Sequence, residues 1–209
     1  MSPINQHLKP RQRPYMDRRV DELNPRQRFL IVCEGEKTEP QYFERFRVPH
    51  LIVDVKGVGM NTLSLVEKAI ELSRMDNYDQ VWCVFDKDDF PPDNFENAIQ
   101  KARDARIKVA YSNQAFELWY LLHFEYLQTA IDRSAYIRKL SDHDHLGFTY
   151  KKNDPAIYEH LQCKMDVAIR NAERLNKQYD SKHPAKNDPS TTVFLLVKEL
   201  QKQAKPLSG

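Results

Sequence analysis

Two acidic segments stand directly behind unbroken apolar runs. Phe29-Leu30-Ile31-Val32-Cys33 leads into Glu34, Glu36 and Glu39, and the run from Gln80 to Phe85 leads into Asp86, Asp88 and Asp89. A single acidic residue in a loop needs no explanation beyond solvent. Two clusters at the ends of apolar runs are a different matter. Carboxylates brought together raise one another's pKa unless a cation neutralises them, and a hard divalent ion such as Mg²⁺ favours oxygen ligands. Such an ion commonly takes one or two carboxylates, with waters and substrate phosphates completing the shell.

A third acidic position interrupts an apolar segment. Glu117 sits within Ala115-Phe116-Glu117-Leu118-Trp119-Tyr120-Leu121-Leu122, which reads as a buried helix. An ionised carboxylate there requires a partner. Either it pairs with an Arg or Lys of the same half, or it joins the acidic cluster as a ligand or acid/base group. Asn113 lies four residues earlier and, on a helix, would share its face. The glycines Gly57 and Gly59 admit both a tight turn and a phosphate-cradling nest. Lys151 and Lys152 admit both a surface pair and a phosphate contact.

The elements that must position these residues follow from the hydrophobic pattern. Short β-branched runs alternate with amphipathic stretches from residue 28 onward, the signature of βαβ units and a mainly parallel sheet. Strands are expected over 29–33, 51–55, 80–85 and 107–111. Helices are expected over 38–47, from Asn61 or Thr62 onward, and after Pro91 and Pro92. Ligands of open parallel sheets bind outside the carboxyl ends of the strands, so the acidic segments are at the right place provided that the first and third strands are neighbours. Beyond residue 112 the strand rhythm stops, and helices are expected over 113–126, 132–140, 154–179 and 190–203. The expected organisation is a basic flexible N-terminal arm (1–27), an α/β core (28–112) and a helical extension packed on it (113–209).

The 209 residues are 41% hydrophobic and 30% charged, enough to bury one core without disulfides. No apolar run reaches the roughly 18 residues of a membrane span, so no membrane partner and a cytoplasmic location are expected. Three cysteines without CxxC spacing, Cys33, Cys83 and Cys163, read as buried thiols and argue against both a disulfide framework and a thiolate zinc site. The net charge of +2 is unevenly spread: residues 1–28 hold seven Lys or Arg against three acidic residues. That stretch is either a solvated tail or an arm that touches nucleic-acid phosphates.

Cys33-Glu34-Gly35-Glu36 followed by Phe85-Asp86-Lys87-Asp88 resembles the two signature elements of the Toprim fold. More narrowly, four segments are similar to the RloB-like (AbiLii-like) Toprim proteins. They are Ile31 to Pro40, Asn61-Thr62-Leu63, Val84 to Asp89 and Ser112 to Phe124. The resemblance implies a Toprim-like Rossmannoid core and metal-dependent nuclease chemistry on DNA or RNA with Mg²⁺ or Mn²⁺. It points to Glu34 as the acid/base group and to Asp86 and Asp88 as the metal pair. Glu39 resembles a further metal-binding acid, although it follows Glu34 by five positions where the related nucleases use four. Lys87, Asn113, Lys151 and Lys152 are the expected substrate contacts. Glu117 is the expected second catalytic carboxylate. The resemblance also implies an anti-phage effector, abortive or restriction-associated, working beside a partner ATPase. The other reading is a non-catalytic nucleic-acid-binding or regulatory subunit of such a complex.

Overall fold

A computed structural model describes residues 26–49, 51–87, 92–179 and 182–204. Asp88, Asp89 and nearly all of the expected basic arm lie outside the described residues. Four strands form an all-parallel sheet: β1 (Gln27–Cys33), β2 (Leu51–Gly57), β3 (Gln80–Lys87) and β4 (Lys108–Asn113), in the order β2-β1-β3-β4. The apolar runs of β1 and β3 become the two central strands, where residues are buried on both faces.

Alternation along each strand sends side chains to opposite faces. Leu30, Val32, Cys83 and Phe85 pack under α2 (Thr62–Ser73) and α3 (Pro92–Asp104). Phe29, Ile31, Cys33, Trp82 and Val84 face the other way. There they meet α1 (Thr38–Phe43) and the C-terminal helices α4 (Glu117–Leu121), α5 (Arg133–Leu140), α6 (Ile157–Leu161), α7 (Met165–Asn176) and α8 (Val193–Ala204). The α/β class with added C-terminal helices is the expected one. Among the described residues, no helix is long and apolar enough to cross a membrane.

Several local expectations are corrected. The helix after β1 stops at Phe43 instead of 47. The stretch expected as one helix over 113–126 gives Asn113 to β4, and Gln114 takes a positive φ of 67°, so α4 begins only at Glu117. The stretch expected as one helix over 154–179 is broken by a turn of 3-10 helix at Gln162–Lys164. Cys163 is exposed; only Cys33 and Cys83 are buried.

This strand order makes the connections from β1 and from β3 lead to opposite edges of the sheet. The topological switch point therefore lies between those two strands, where ligands of such sheets bind. Glu34 and Asp86 stand at that point.

Candidate active site at the carboxyl end of the sheet

The register that pairs Cys33 with Val84 places the residues after β1 beside the end of β3. Glu34 is fixed from three sides. Its backbone N–H donates to the Val84 carbonyl at 2.9 Å, and its own carbonyl accepts from the Gly59 N–H at 3.0 Å. Its side-chain Oε2 accepts the Asp86 backbone N–H and Oε1 accepts the Thr62 hydroxyl, each at 3.1 Å. A carboxylate clamped in this way has a defined direction in which to take or give a proton.

The loop geometry depends on glycine. A Cβ on Gly35 would collide with the Glu39 carboxylate. One on Gly57 would stand 2.7 Å from the Gly35 carbonyl and 2.8 Å from the Glu36 Cα. Gly59 adopts φ +60° against the Glu36 side chain. The two glycines of the β2–α2 segment thus let two loops touch, and that close approach accounts for both of them.

Asp86 carries the highest electrostatic load. Its Oδ2 accepts the Phe116 backbone N–H at 3.2 Å, whereas Oδ1 is buried without a partner among the described residues. Burial, followed by the neighbouring carboxylates of Glu39, Glu117 and Glu34, raises its carboxyl well above the ordinary carboxylate range. Glu39, only 6% exposed, is raised chiefly by burial; Glu117 adds to the shift, while backbone N–H groups and Lys152 oppose it. Glu117 is equally buried, and the Tyr150 hydroxyl donates to its Oε1 at 3.2 Å. No Arg or Lys forms an ion pair with Glu117 among the described residues.

Glu34, Glu39 and Glu117 thus all lie near enough to Asp86 to act on its charge. Glu34, Glu39 and Asp86 line one cavity together with the exposed Lys152 and Lys37 and with Arg133, whose Nη2 donates to the Gln114 carbonyl at 2.5 Å. Lys87 ends β3 beside Asp86. Asn113 is not brought to the cluster. It sits in β4, buried, and its amide donates to the Asn187 carbonyl at 2.7 Å. Lys151 is exposed and lies outside the walls of this cavity. His123, which follows α4, is a core histidine: Nδ1 meets the Trp119 carbonyl at 2.9 Å, and burial lowers its pKa to about 4.

Among the described residues, no group of three or more His, Cys, Asp or Glu is set closely enough to hold a metal ion. The donor chemistry nevertheless fits a hard cation. One carboxylate oxygen, Asp86 Oδ1, is buried and unpartnered, and after burial the neighbouring carboxylates are the largest influence on Asp86. Asp88 follows this set in the chain, outside the described residues.

Thr62, Tyr150, Lys37 and Arg133 complete the site without having been singled out as site residues. Thr62 is read from sequence as a helix start, which it is, with Asn61 Oδ1 capping the Ser64 N–H at 3.0 Å. The other three carry no local signal.

Comparison with known proteins gives one match. A family model described as RloB-like protein covers residues 29–200. No curated protein and no solved structure matches the chain.

Proposed function

The chain belongs to the RloB-like family, and from that premise we propose that it is a divalent-metal-dependent phosphodiesterase acting on nucleic acid, an effector of anti-phage defence of the Toprim kind. The observation that carries this reading is the unpartnered, buried Asp86 Oδ1 at the sheet's switch point, beside a Glu34 carboxylate held by both β3 and α2.

Asp86, with Glu34 and Glu39 beside it, and Asp88 are the residues that would hold Mg²⁺ or Mn²⁺. When bound, the ion supplies charge neutralisation and polarisation of a phosphodiester oxygen. The chain supplies the rest. Lys37, Arg133 and Lys152 attract the phosphates to the acidic floor. The water oxygen adds to phosphorus, the bond from phosphorus to the leaving sugar oxygen breaks, and Glu34 takes the water proton or protonates that leaving oxygen. Glu117, which accepts the Tyr150 hydroxyl, would serve as the second acid/base group. A partner ATPase would restrain the activity.

The test is cleavage of plasmid DNA and of structured RNA by the purified chain with Mg²⁺ or Mn²⁺. Glu34→Gln and Asp86→Asn are each expected to lower the rate by a factor of 100 or more, on the order of a lost acid/base or ligand group, with thermal stability intact or improved. Full activity in both variants would overturn the site assignment. Absence of cleavage with either substrate, including in the presence of the partner ATPase, would favour a non-catalytic nucleic-acid-binding or regulatory subunit.

A further inference from the structure

Asp86 is the meeting point of two cavities. The rim of Lys37, Arg133 and Lys152 borders one of about 610 Å³, and on the other side lies a smaller one of about 330 Å³. Asn61 and Asp86 belong to the walls of both. The smaller cavity is built between the first turns of α2 and α3. Asn61, Ser64 and Asn94 provide amides and a hydroxyl, Lys87 provides a cation, and the exposed Leu63 provides apolar surface.

We infer that this smaller cavity is a subsite for one unpaired nucleotide, so that the substrate strand is single-stranded at the cleaved bond or has a nucleotide turned out of its helix there. The inference rests on the hydrolytic reading of the same carboxylates and adds the substrate class to it.

Three observations carry it. The first is position: Asp86 lines both cavities, so a phosphate brought to it has its flanking nucleotide in one of them. The second is size. About 330 Å³ stands at the small end of ligand pockets and suits one nucleoside, whereas a base pair with both of its backbones cannot enter. Enzymes that must reach an atom inside a duplex extrude the nucleotide or take single strands for the same reason.

The third observation is the chemistry of the walls, which are fixed in place. The Phe95 ring is held edge-to-face against Phe85 at 5.6 Å and Tyr111 at 5.2 Å and is only 3% exposed, so it closes the floor of the cavity as part of the core. Asn61 commits Oδ1 to the Ser64 N–H, which leaves its amide N–H₂ to donate to a base edge or a sugar hydroxyl. Thr62, in the same wall, donates its hydroxyl to Glu34 Oε1. The subsite and the acid/base group are thus one bonded unit, and the seating of a nucleotide sets the approach of its phosphate to Glu34. Lys87 matches the phosphate charge without reading sequence.

The experiment measures binding of fluorescein-labelled 12-mers to the full chain in EDTA by anisotropy: single-stranded DNA, single-stranded RNA, and blunt duplexes of the same sequences. At least one single strand is expected to bind about tenfold more tightly than its duplex, the scale of one well-seated base. Asn94→Trp, at an exposed position on the cavity wall, fills the space and is expected to remove that preference while leaving thermal unfolding unchanged. Equal or tighter duplex binding, or an unchanged preference in a folded Asn94→Trp variant, would overturn the subsite. Neither result touches the cleavage test of Glu34 and Asp86. A single-strand preference lost in Asn94→Trp supports the subsite even where no cleavage is seen, and the failure then belongs to the hydrolytic reading alone.

Discussion

At Asp86 the needs of a cation site and of a stable fold conflict. Its carboxyl is raised by burial and by Glu39, Glu117 and Glu34, so in the absence of a cation the folded state favours the protonated form. A group whose folded pKa lies above its unfolded value contributes stability that is fully present below the unfolded value and is lost as pH rises through the folded one. The metal-free chain is therefore expected to lose stability as pH climbs from about 4, the ordinary carboxylate value, toward neutrality. Asp86→Asn should flatten that loss and, at pH 7, gain on the order of 1 kcal/mol, a Tm rise of about 2–4 °C for a chain of this size. Millimolar Mg²⁺ should raise the Tm of the unaltered chain and leave that of Asp86→Asn unmoved. Thermal scans across pH 4–8, with and without Mg²⁺, decide it; a Tm in Asp86→Asn below that of the unaltered chain at pH 7 would contradict the electrostatic account. At this scale the sequence is legible where chemistry follows a strand end: Glu34 and Asp86 announce themselves. Tyr150 and Arg133 do not, because each acts through a contact made only after folding, Tyr150 with Glu117 across 33 positions of chain. Asn113 misleads, since four-residue spacing from Glu117 implies a shared face only when both stand on one helix, and here it ends a strand.

Among the elements, the strands are the most legible part. Central parallel strands are buried on both faces, so β1 and β3 appear as continuous apolar runs that no surface element imitates. Helix ends are harder. Ile157, Leu161, Met165, Ala168, Ala172 and Leu175 keep one apolar stripe at helical spacing right through the break at Gln162–Lys164, so periodicity alone cannot reveal that α6 and α7 are separate. The contact between the β1–α1 loop and the end of β2 is legible only as a glycine pattern whose purpose the packing supplies. Because a Cβ on Gly57 would stand 2.7 and 2.8 Å from backbone atoms of Gly35 and Glu36, it cannot be accommodated by rotating a side chain; the loop that carries Glu34 must move. Gly57→Ala is expected to cost about 2 kcal/mol or more, as overpacking against fixed atoms does, and to lower cleavage further than an equally destabilising change remote from the site. The comparison is Leu200→Ala, a buried residue of α8 that lines neither cavity, at a cost of about 2 kcal/mol or more. Were Gly57→Ala to match the parent chain in both urea midpoint and cleavage rate, the loops would not be in the contact described.

Over the whole molecule, the question is whether sheet and C-terminal helices behave as one unit. Phe29, Ile31, Trp82 and Val84 of the sheet belong to the same buried cluster as Leu118, Trp119 and Tyr120 of α4 and Val193, Leu196 and Val197 of α8. The Trp119 Nε1–H donates to the Tyr42 hydroxyl of α1 at 2.8 Å, which ties the helical layer to the segment just after the acidic loop. Segment 190–192 also runs beside β4, with the Thr192 N–H donating to the Tyr111 carbonyl at 2.8 Å. Removing the C-terminal helices would bare one face of the sheet, and apolar area on that scale is the dominant stabilising term of a domain. Unfolding is therefore expected to be a single cooperative transition in spite of the change of rhythm at residue 112. The chain contains two tryptophans, one in β3 and one in α4, so the single-tryptophan variants Trp82→Phe and Trp119→Phe each leave one reporter in one layer. In each variant, urea unfolding followed by fluorescence and by far-ultraviolet circular dichroism should give coincident midpoints. Separated midpoints would show that the helical layer opens on its own. In that case the buried partners of Asp86 contributed by α4, the Phe116 N–H and the Glu117 carboxylate, would be supplied by a part of the molecule able to leave the site without unfolding the sheet.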